Sequence, residues 1–500
     1  MPNKLTKIVR WDGGMKNDIR DRAFNSVRLI KNFDPITYPY RLEPYRASES
    51  GNDTPARELD NFLFSNSRLY GYGVQSGTSK TALFFKASND FGDDSWETPS
   101  NNESGNFTRE TELFVFYSYG GAGYIFGGQT DRIWKFAVNG SAFTDADLSV
   151  THTSISQGLV HPKDNILYVP YDNIIAKNAA GSWTAAAITL PAEYLTRGLC
   201  TYGNYLAIPV KPLPTGSGKT SSYVYLWDRD SSVTTLSESI DFGAGNLEIL
   251  EELNGELIGI MELGNRLVIK RVRSAQDVET IVDFSFDSTI TLRQRKQKKN
   301  DRIYFMMTAT LDGVTHYGVW AIGKNKLGQW CLYLDRTPNN DTDPNSIQGF
   351  FLVDASGLEY MFQAYTDGSS AKQVSKTNES AIHTATAVAE TVKYNSDSPG
   401  DEKKLEGVTV AHAALPANGQ VVLKCKIDEE TSFTTIFTHT TEDSMTHSAV
   451  GFESSGATLP EHNEVQFRIE VSTTSGLDGP VRILELDFLT TPVDKNTYGR

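Results

Sequence analysis

The sequence predicts an all-β protein: a β-propeller of about seven blades, with an extended N-terminal arm before it and a C-terminal β-sandwich after it. Three observations carry this expectation. Aromatic residues make up 11% of the 500-residue chain, including 22 Tyr and 25 Phe, and flat rings pack well on pleated strands. From about residue 58 to 378, short apolar runs and tight turns recur in units centred on Phe84, Trp134, Ile175, Tyr225, Ile269, Trp320 and Met361. These centres lie about 46 residues apart, within the range of propeller blades. All 7 tryptophans precede residue 331, so the composition changes afterwards and a different domain is expected there.

The arm, residues 1–57, contains NFDPITYPYRLEPYR, in which Pro35, Pro39 and Pro44 fix φ and push their predecessors into extended geometry. Tyr38, Tyr40 and Tyr45 alternate with Arg41 and Arg46, so the segment has anchors for a surface and no evident core of its own. It reads equally as a strap across its own domain or as an inter-subunit arm.

The propeller, residues 58–378, is justified unit by unit. RIWKFAVNGSAF, NIIAKNAAGSW, YVYLWDRDSSVTTL and GVWAIGKNKLGQWCLYL each pair apolar strands across Asn, Gly, Asp or Ser, the residues a tight hairpin needs for positive φ. NYLAIPV, ELIGIMEL and RIYFMM supply further strands between them. Residues 379–500 carry strands with apolar–polar alternation, such as QVVLKCKID, EVQFRIEVST and VRILELDFLT. That pattern buries one face and wets the other, as in a sandwich.

The formal charge is −15 and uneven: about +4 over residues 1–57 and about −10 over residues 379–500. The bulk therefore repels nucleic acid, and sequence-specific binding to it is not expected. Cys200, Cys331 and Cys425 are too far apart for a disulfide framework. The opening MPNKLTKIVRWDGG lacks an apolar h-region and no run nears 18 apolar residues, so neither a classical signal nor membrane insertion is expected.

Several motifs imply chemistry and lose it on inspection. PTGSGKTSS (214–222) has Gly216, Gly218, Lys219 and Thr220 of a phosphate-binding loop, but β-rich YVYLW follows where a helix is required. ASNDFGDDSWE (87–97) approximates the Asp-box turn of sialidase-type propellers, with Trp96 one residue late. NNDTDPN (339–345) spaces acids like a calcium loop, yet Pro344 replaces the turn glycine. The histidines show no metal-ligand spacing and no nucleophile elbow is present. No catalytic residue, cofactor or metal is assigned, and the chain is expected not to be an enzyme.

RQRKQKKNDR (293–302) is the one strong basic cluster, with Arg293, Arg295, Lys296, Lys298 and Lys299. Lying between TITL and IYFMM, it is expected to be a hairpin loop projecting from a blade, more suited to an acidic protein partner than to nucleic acid. It lacks the interleaved aromatics of single-strand binding. With the arm residues Tyr38, Tyr40, Arg41, Tyr45 and Arg46, these are the candidate assembly contacts.

GGMKNDIRD near the start, GNYLAIPV inside a blade, KLGQWCLYL late in the propeller and KKLEGVTV before the sandwich together resemble tailed-bacteriophage virion proteins, in particular propeller proteins of tail nozzles and DNA-stabilising tail hubs. The resemblance implies a structural tail component made in the bacterial host cytoplasm and placed in the virion. It implies a homo-oligomeric ring, a hexamer being one closed form, around a passive DNA channel, docking other tail proteins. Two further readings are a tail-tip carbohydrate- or receptor-binding module, and a propeller glycoside hydrolase. The last needs acidic residues converging on the propeller axis, and no such set is evident in the sequence.

Overall fold

A computed structural model describes residues 4–9, 11, 15, 27–37, 40–46, 48–50, 57–75, 81–89, 91, 96–97, 109–129, 131–138, 143–214, 218–230, 238–274, 277–338, 344–369, 372–377, 386–395, 402–459, 461–473 and 480–493. Among these are 38 β-strands and no α-helix. The all-β propeller expected from the sequence is the fold of the chain.

In chain order, β1 (Lys4–Ile8), β2 (Val27–Lys31) and β3 (Ser48–Ser50) come first. Six small sheets, and between the fifth and the last of them three strands of a larger one, make seven blade-like sets among the described residues. The first is β4 (Arg57–Ser65), β5 (Arg68–Gln75) and β6 (Thr81–Ala87); the second is β7 (Arg109–Tyr119), β8 (Ala122–Gln129), β9 (Arg132–Ala137) and β10 (Phe143–Ser149). The third is β11 (Leu159–His161), β12 (Ile166–Tyr171), β13 (Ile174–Ala179) and β14 (Ser182–Thr189). The fourth holds β15 (Tyr194–Thr196), β16 (Cys200–Tyr202), β17 (Tyr205–Pro212), β18 (Ser221–Trp227) and β19 (Glu238–Ala244). The fifth is β20 (Asn246–Leu253), β21 (Glu256–Leu263), β22 (Arg266–Ser274) and β23 (Asp277–Ser285). The sixth begins β24 (Thr291–Lys299), β25 (Arg302–Leu311), β26 (Val314–Lys324), and is followed in the chain by β27 (Trp330–Arg336). The seventh is β28 (Pro344–Ala355), β29 (Leu358–Asp367) and β30 (Lys372–Thr377), joined by β3. Last come β31 (Ala387–Thr391), β32 (Lys403–His412), β33 (Gly419–Ile427), β34 (Thr434–His439), β35 (Thr446–Ala449), β36 (Glu461–His462), β37 (Val465–Thr473) and β38 (Ile483–Pro492).

The chain forms two compact units, one of residues 49–319 and 341–377, the other of residues 1–48, 320–340 and 378–500. In the first, the leading strands of successive sheets pack on one another: β4 on β7, β7 on β11, β16 and β17 on β20, β20 on β24, and β24 on β28. Strand β28 packs back on β4 and closes the ring. Apolar layers between blades hold it together. Leu59, Phe62, Trp96 and Phe362 join the first blade to the seventh, while Tyr72, Phe114 and Trp134 join the first to the second. The hairpin turns are tight. Asn254–Gly255 (φ 54° and 84°) and Asn300–Asp301 (φ 51° and 58°) both place two residues at positive φ, the primed-turn geometry whose twist matches antiparallel strands.

In the second unit one sheet runs β1-β38-β32-β35, with β36 on β32, and the other includes β27-β2-β31-β37-β33-β34. Their inner faces meet through Phe467 and Phe488, whose rings lie 4.8 Å apart, as in a β-sandwich. The expected division at residues 57 and 378 left the N-terminal segment coreless, whereas the strands place it inside this unit. Strand β1 pairs with β38, β2 pairs with β31, and Trp11, Met15, Phe33 and Leu42 are buried. The short runs KLTKI and VRLIK look too brief to be core, but each completes a sheet begun some 400 residues later.

Candidate functional site

The basic cluster is not a projecting loop. It is strand β24, and its hairpin turn is only Asn300–Asp301. A leading strand borders the centre of the ring, where the backbone edges of other blades converge. Charged side chains there find carbonyls and carboxylates rather than solvent.

Arg295 is 4% exposed. Its Nη2 donates to the Phe62 carbonyl and its Nη1 to the Phe114 carbonyl at 3.4 Å, so one side chain on the sixth blade ties the first and second. Burial pulls its pKa down to about 10, against the opposing pull of Glu112. Lys296 donates to the Leu199 carbonyl at 3.0 Å and to the Leu250 carbonyl, and lies 3.1 Å from Glu251. Lys298 pairs with Glu252 at 2.7 Å. Lys299 pairs with Asp354 at 2.8 Å and Glu359 at 3.0 Å on the seventh blade. Gln297 bonds both the N–H and the C=O of Leu352 there. Of the proposed contacts on this strand, Arg295, Lys296, Lys298 and Lys299 are thus internal ties between blades. Arg293 makes no hydrogen bond or ion pair among the described residues.

Local sequence pattern does not single out the charged groups around this strand. Glu112 on β7, Arg197 just before β16, and Glu248 on β20 lie far apart in the sequence, and the fold couples them electrostatically. Arg197 Nε lies 2.9 Å from Glu248, which also pairs with Lys211 at 2.5 Å. Burial pushes the Glu112 carboxyl up, opposed by Arg293, Arg295 and Arg197 and reinforced by Glu248. Burial and Glu248 also push Glu262 up. A charge near the start of an otherwise apolar leading strand, as at Glu248 in β20, is the signal that could have found part of this set.

Beside it, a cavity of about 410 Å³ opens between the third and sixth blades, lined by Gln157, Thr201, Cys200, Glu251, Glu252 and Lys298 among others. Burial would raise the Glu252 carboxyl, but Lys298 and the Gly255 N–H hold it below its ordinary value. Cys200 is buried, and burial raises its thiol well above the ordinary range, so it is a packing residue rather than a nucleophile.

In the arm, Tyr38 lies outside the described residues. Tyr40 is 62% exposed. Arg41 pairs with Glu43 at 2.6 Å, and the Arg336 guanidinium stacks 4.5 Å from the Tyr45 ring centre. Arg46 is half-buried. Arg41 and Tyr45 are therefore engaged within their own unit, whereas the Tyr40 ring is largely exposed. Gly218–Thr220 of the phosphate-loop motif lead directly into β18 with no helix. Trp96 of the Asp-box-like segment stacks on Phe62 at 6.0 Å inside a blade joint. Residues 339–343 lie outside the described residues.

Neither a family model nor a curated protein sequence matches the chain. It is similar in structure to a glycoside hydrolase, at 12% identity over 88% of this chain and 99% of that one, with a TM-score of 0.26. It is similar also to the Trypanosoma rangeli sialidase in complex with sialic acid, at 10% identity over 92% and 94%, with a TM-score of 0.35. A third likeness is to the Dos1 propeller, at 9% identity over 67% and 94%, with a TM-score of 0.40. The expectation that the chain is not an enzyme is corrected here. Proteins named as hydrolases and a sialidase are among those with a similar arrangement. These likenesses bear on the fold and assign neither substrate nor residue roles.

Proposed function

We propose that the chain is a structural component of a bacteriophage tail, resembling nozzle or hub propeller proteins, that assembles into a ring around the DNA channel and docks other tail proteins. The observation that carries the reading is an apolar row on the outer face of the sheet β1-β38-β32-β35. Leu5 lies opposite Leu489, Leu489 opposite Gly407, and Val450 follows the last strand at the Gly407 end. Leu5 is 56% and Val450 81% exposed. Such a row, cross-strand and solvent-facing, is what a second copy of the chain would cover. Arg295 crosses the centre of the ring of blades, so in this reading the DNA channel is the space enclosed by subunits and not the propeller axis.

Light scattering after gel filtration tests it. The expected result is a closed oligomer whose mass falls to about 55 kDa in the double variant Leu5→Asp, Val450→Asp. A wild-type monomer at every concentration, or an oligomer indifferent to the double variant, counts against the reading.

A second reading, hydrolysis of a glycosidic bond, is favoured by one observation: the Glu112 carboxyl is held up by burial beside Glu248, the property of a proton donor. Hydrolysis of nitrophenyl glycosides that falls at least about 100-fold in Glu112→Gln supports it. Absence of hydrolysis by the wild type removes it.

A further inference from the structure

The cavity between the third and sixth blades is walled by a mixture of donors and acceptors. Two carboxylates, Glu251 and Glu252, face two ammonium groups, Lys296 and Lys298, so the site carries no surplus charge. Lys296 spends its three N–H bonds on Leu199, Leu250 and Glu251. Lys298 has one partner, Glu252, and retains two N–H donors. The Glu251 oxygens take the Glu252 N–H at 3.1 Å, the Cys200 thiol at 3.9 Å and the Lys296 ammonium, and still have lone pairs to offer. The Thr201 hydroxyl makes no hydrogen bond among the described residues. The Gln157 Oε1 is buried without a partner.

This chemistry discriminates between ligand classes. An incoming anion meets two carboxylates and a cation meets two ammonium groups, so neither gains net attraction. A hydroxyl both donates and accepts, and a run of neighbouring hydroxyls matches the mixture of donors and acceptors on Lys298, Glu252, Glu251 and Thr201. The cavity volume falls in the range of small-ligand sites, roughly 300–1,000 Å³. From these features we infer that the cavity is a binding site for a neutral polyhydroxylated ligand of monosaccharide size. No aromatic ring is among its lining residues, so the expected affinity is on the order of millimolar. The site is separate from the apolar row of the tail reading, and its lining includes neither Glu112 nor Glu248.

Saturation-transfer difference NMR on the full chain tests it, with glucose, galactose, mannose and N-acetylglucosamine as probes and sodium phosphate and sodium acetate as anion controls. The expected result is a signal from at least one sugar and none from acetate, with phosphate failing to compete. Glu252→Gln should weaken sugar binding at least tenfold, and Glu112→Gln should leave it unchanged. Should Glu252→Gln fail to fold, Thr201→Val, which removes only the free hydroxyl, should weaken binding about threefold. The inference is overturned if no sugar binds, if phosphate displaces it, or if binding survives the cavity variants and is lost with Glu112→Gln, which would place the sugar at the axis. Oligomeric mass is unaffected by any of these outcomes, so the tail reading stands or falls separately.

Discussion

Replacing Arg295 with methionine is expected to destabilise the propeller by about 3–5 kcal/mol, the typical cost of removing one partner from a buried charged network. The side chain is enclosed and bonds carbonyls of two other blades. Its loss leaves the Phe62 and Phe114 carbonyls without that donor and takes one cation from beside Glu112. Urea unfolding followed by tryptophan fluorescence measures the effect, since Trp96 and Trp134 lie in the adjoining blade joints. The network reading makes a sharper demand: at a pH high enough to ionise Glu112, Glu112→Gln in the Arg295→Met background should recover part of the loss, because it removes a carboxylate deprived of one cation. Additive losses would show that Arg295 acts through its carbonyl bonds alone.

The second large effect is at the seam of the ring. A Cβ added to Gly349 would sit 2.4 Å from the Asp60 carbonyl oxygen and 2.9 Å from the Asn61 Cα. Both are backbone atoms of β4, so no side chain can swing aside. Gly349→Ala must push the seventh blade from the first, at a cost of about 1–3 kcal/mol or more. The control is Gly407→Ala on β32, whose nearest neighbour is 3.6 Å away and which should shift stability by less than about 0.5 kcal/mol. Equal unfolding midpoints for the two variants would mean that β28 and β4 are not in close contact.

The strand units were legible because their signals are local. Apolar runs around Trp134, Tyr225 and Trp320, separated by turn residues, report pairing between near neighbours in the chain. The first and last strands of the second unit were less legible. KLTKI pairs with residues 486–490, and no short-range pattern announces a partner so distant. The strand Thr291–Lys299 was misread for another reason. Its alternation lacks apolar residues because a leading strand exchanges side-chain burial for ties to other blades, and RQRKQKK then looks like a solvated turn. The electrostatic coupling of Glu112 to Arg197 and Glu248 depends on the blades coming together, which no window of sequence contains.

The weaving of residues 1–48 with residues 378–500 has a consequence for how the protein is made. During synthesis β1 and β2 emerge before the blades, yet their partners β38 and β31 emerge only after the whole propeller has been translated. The blades, each built from adjacent strands, are free to fold as they appear. The segment carrying β1 and β2, with Trp11, Leu29 and Phe33 still uncovered, must wait for residues 378–500. Completion of that unit therefore follows translation of the propeller, and a chain broken off between the two would carry finished blades alongside an adhesive, unfinished sandwich.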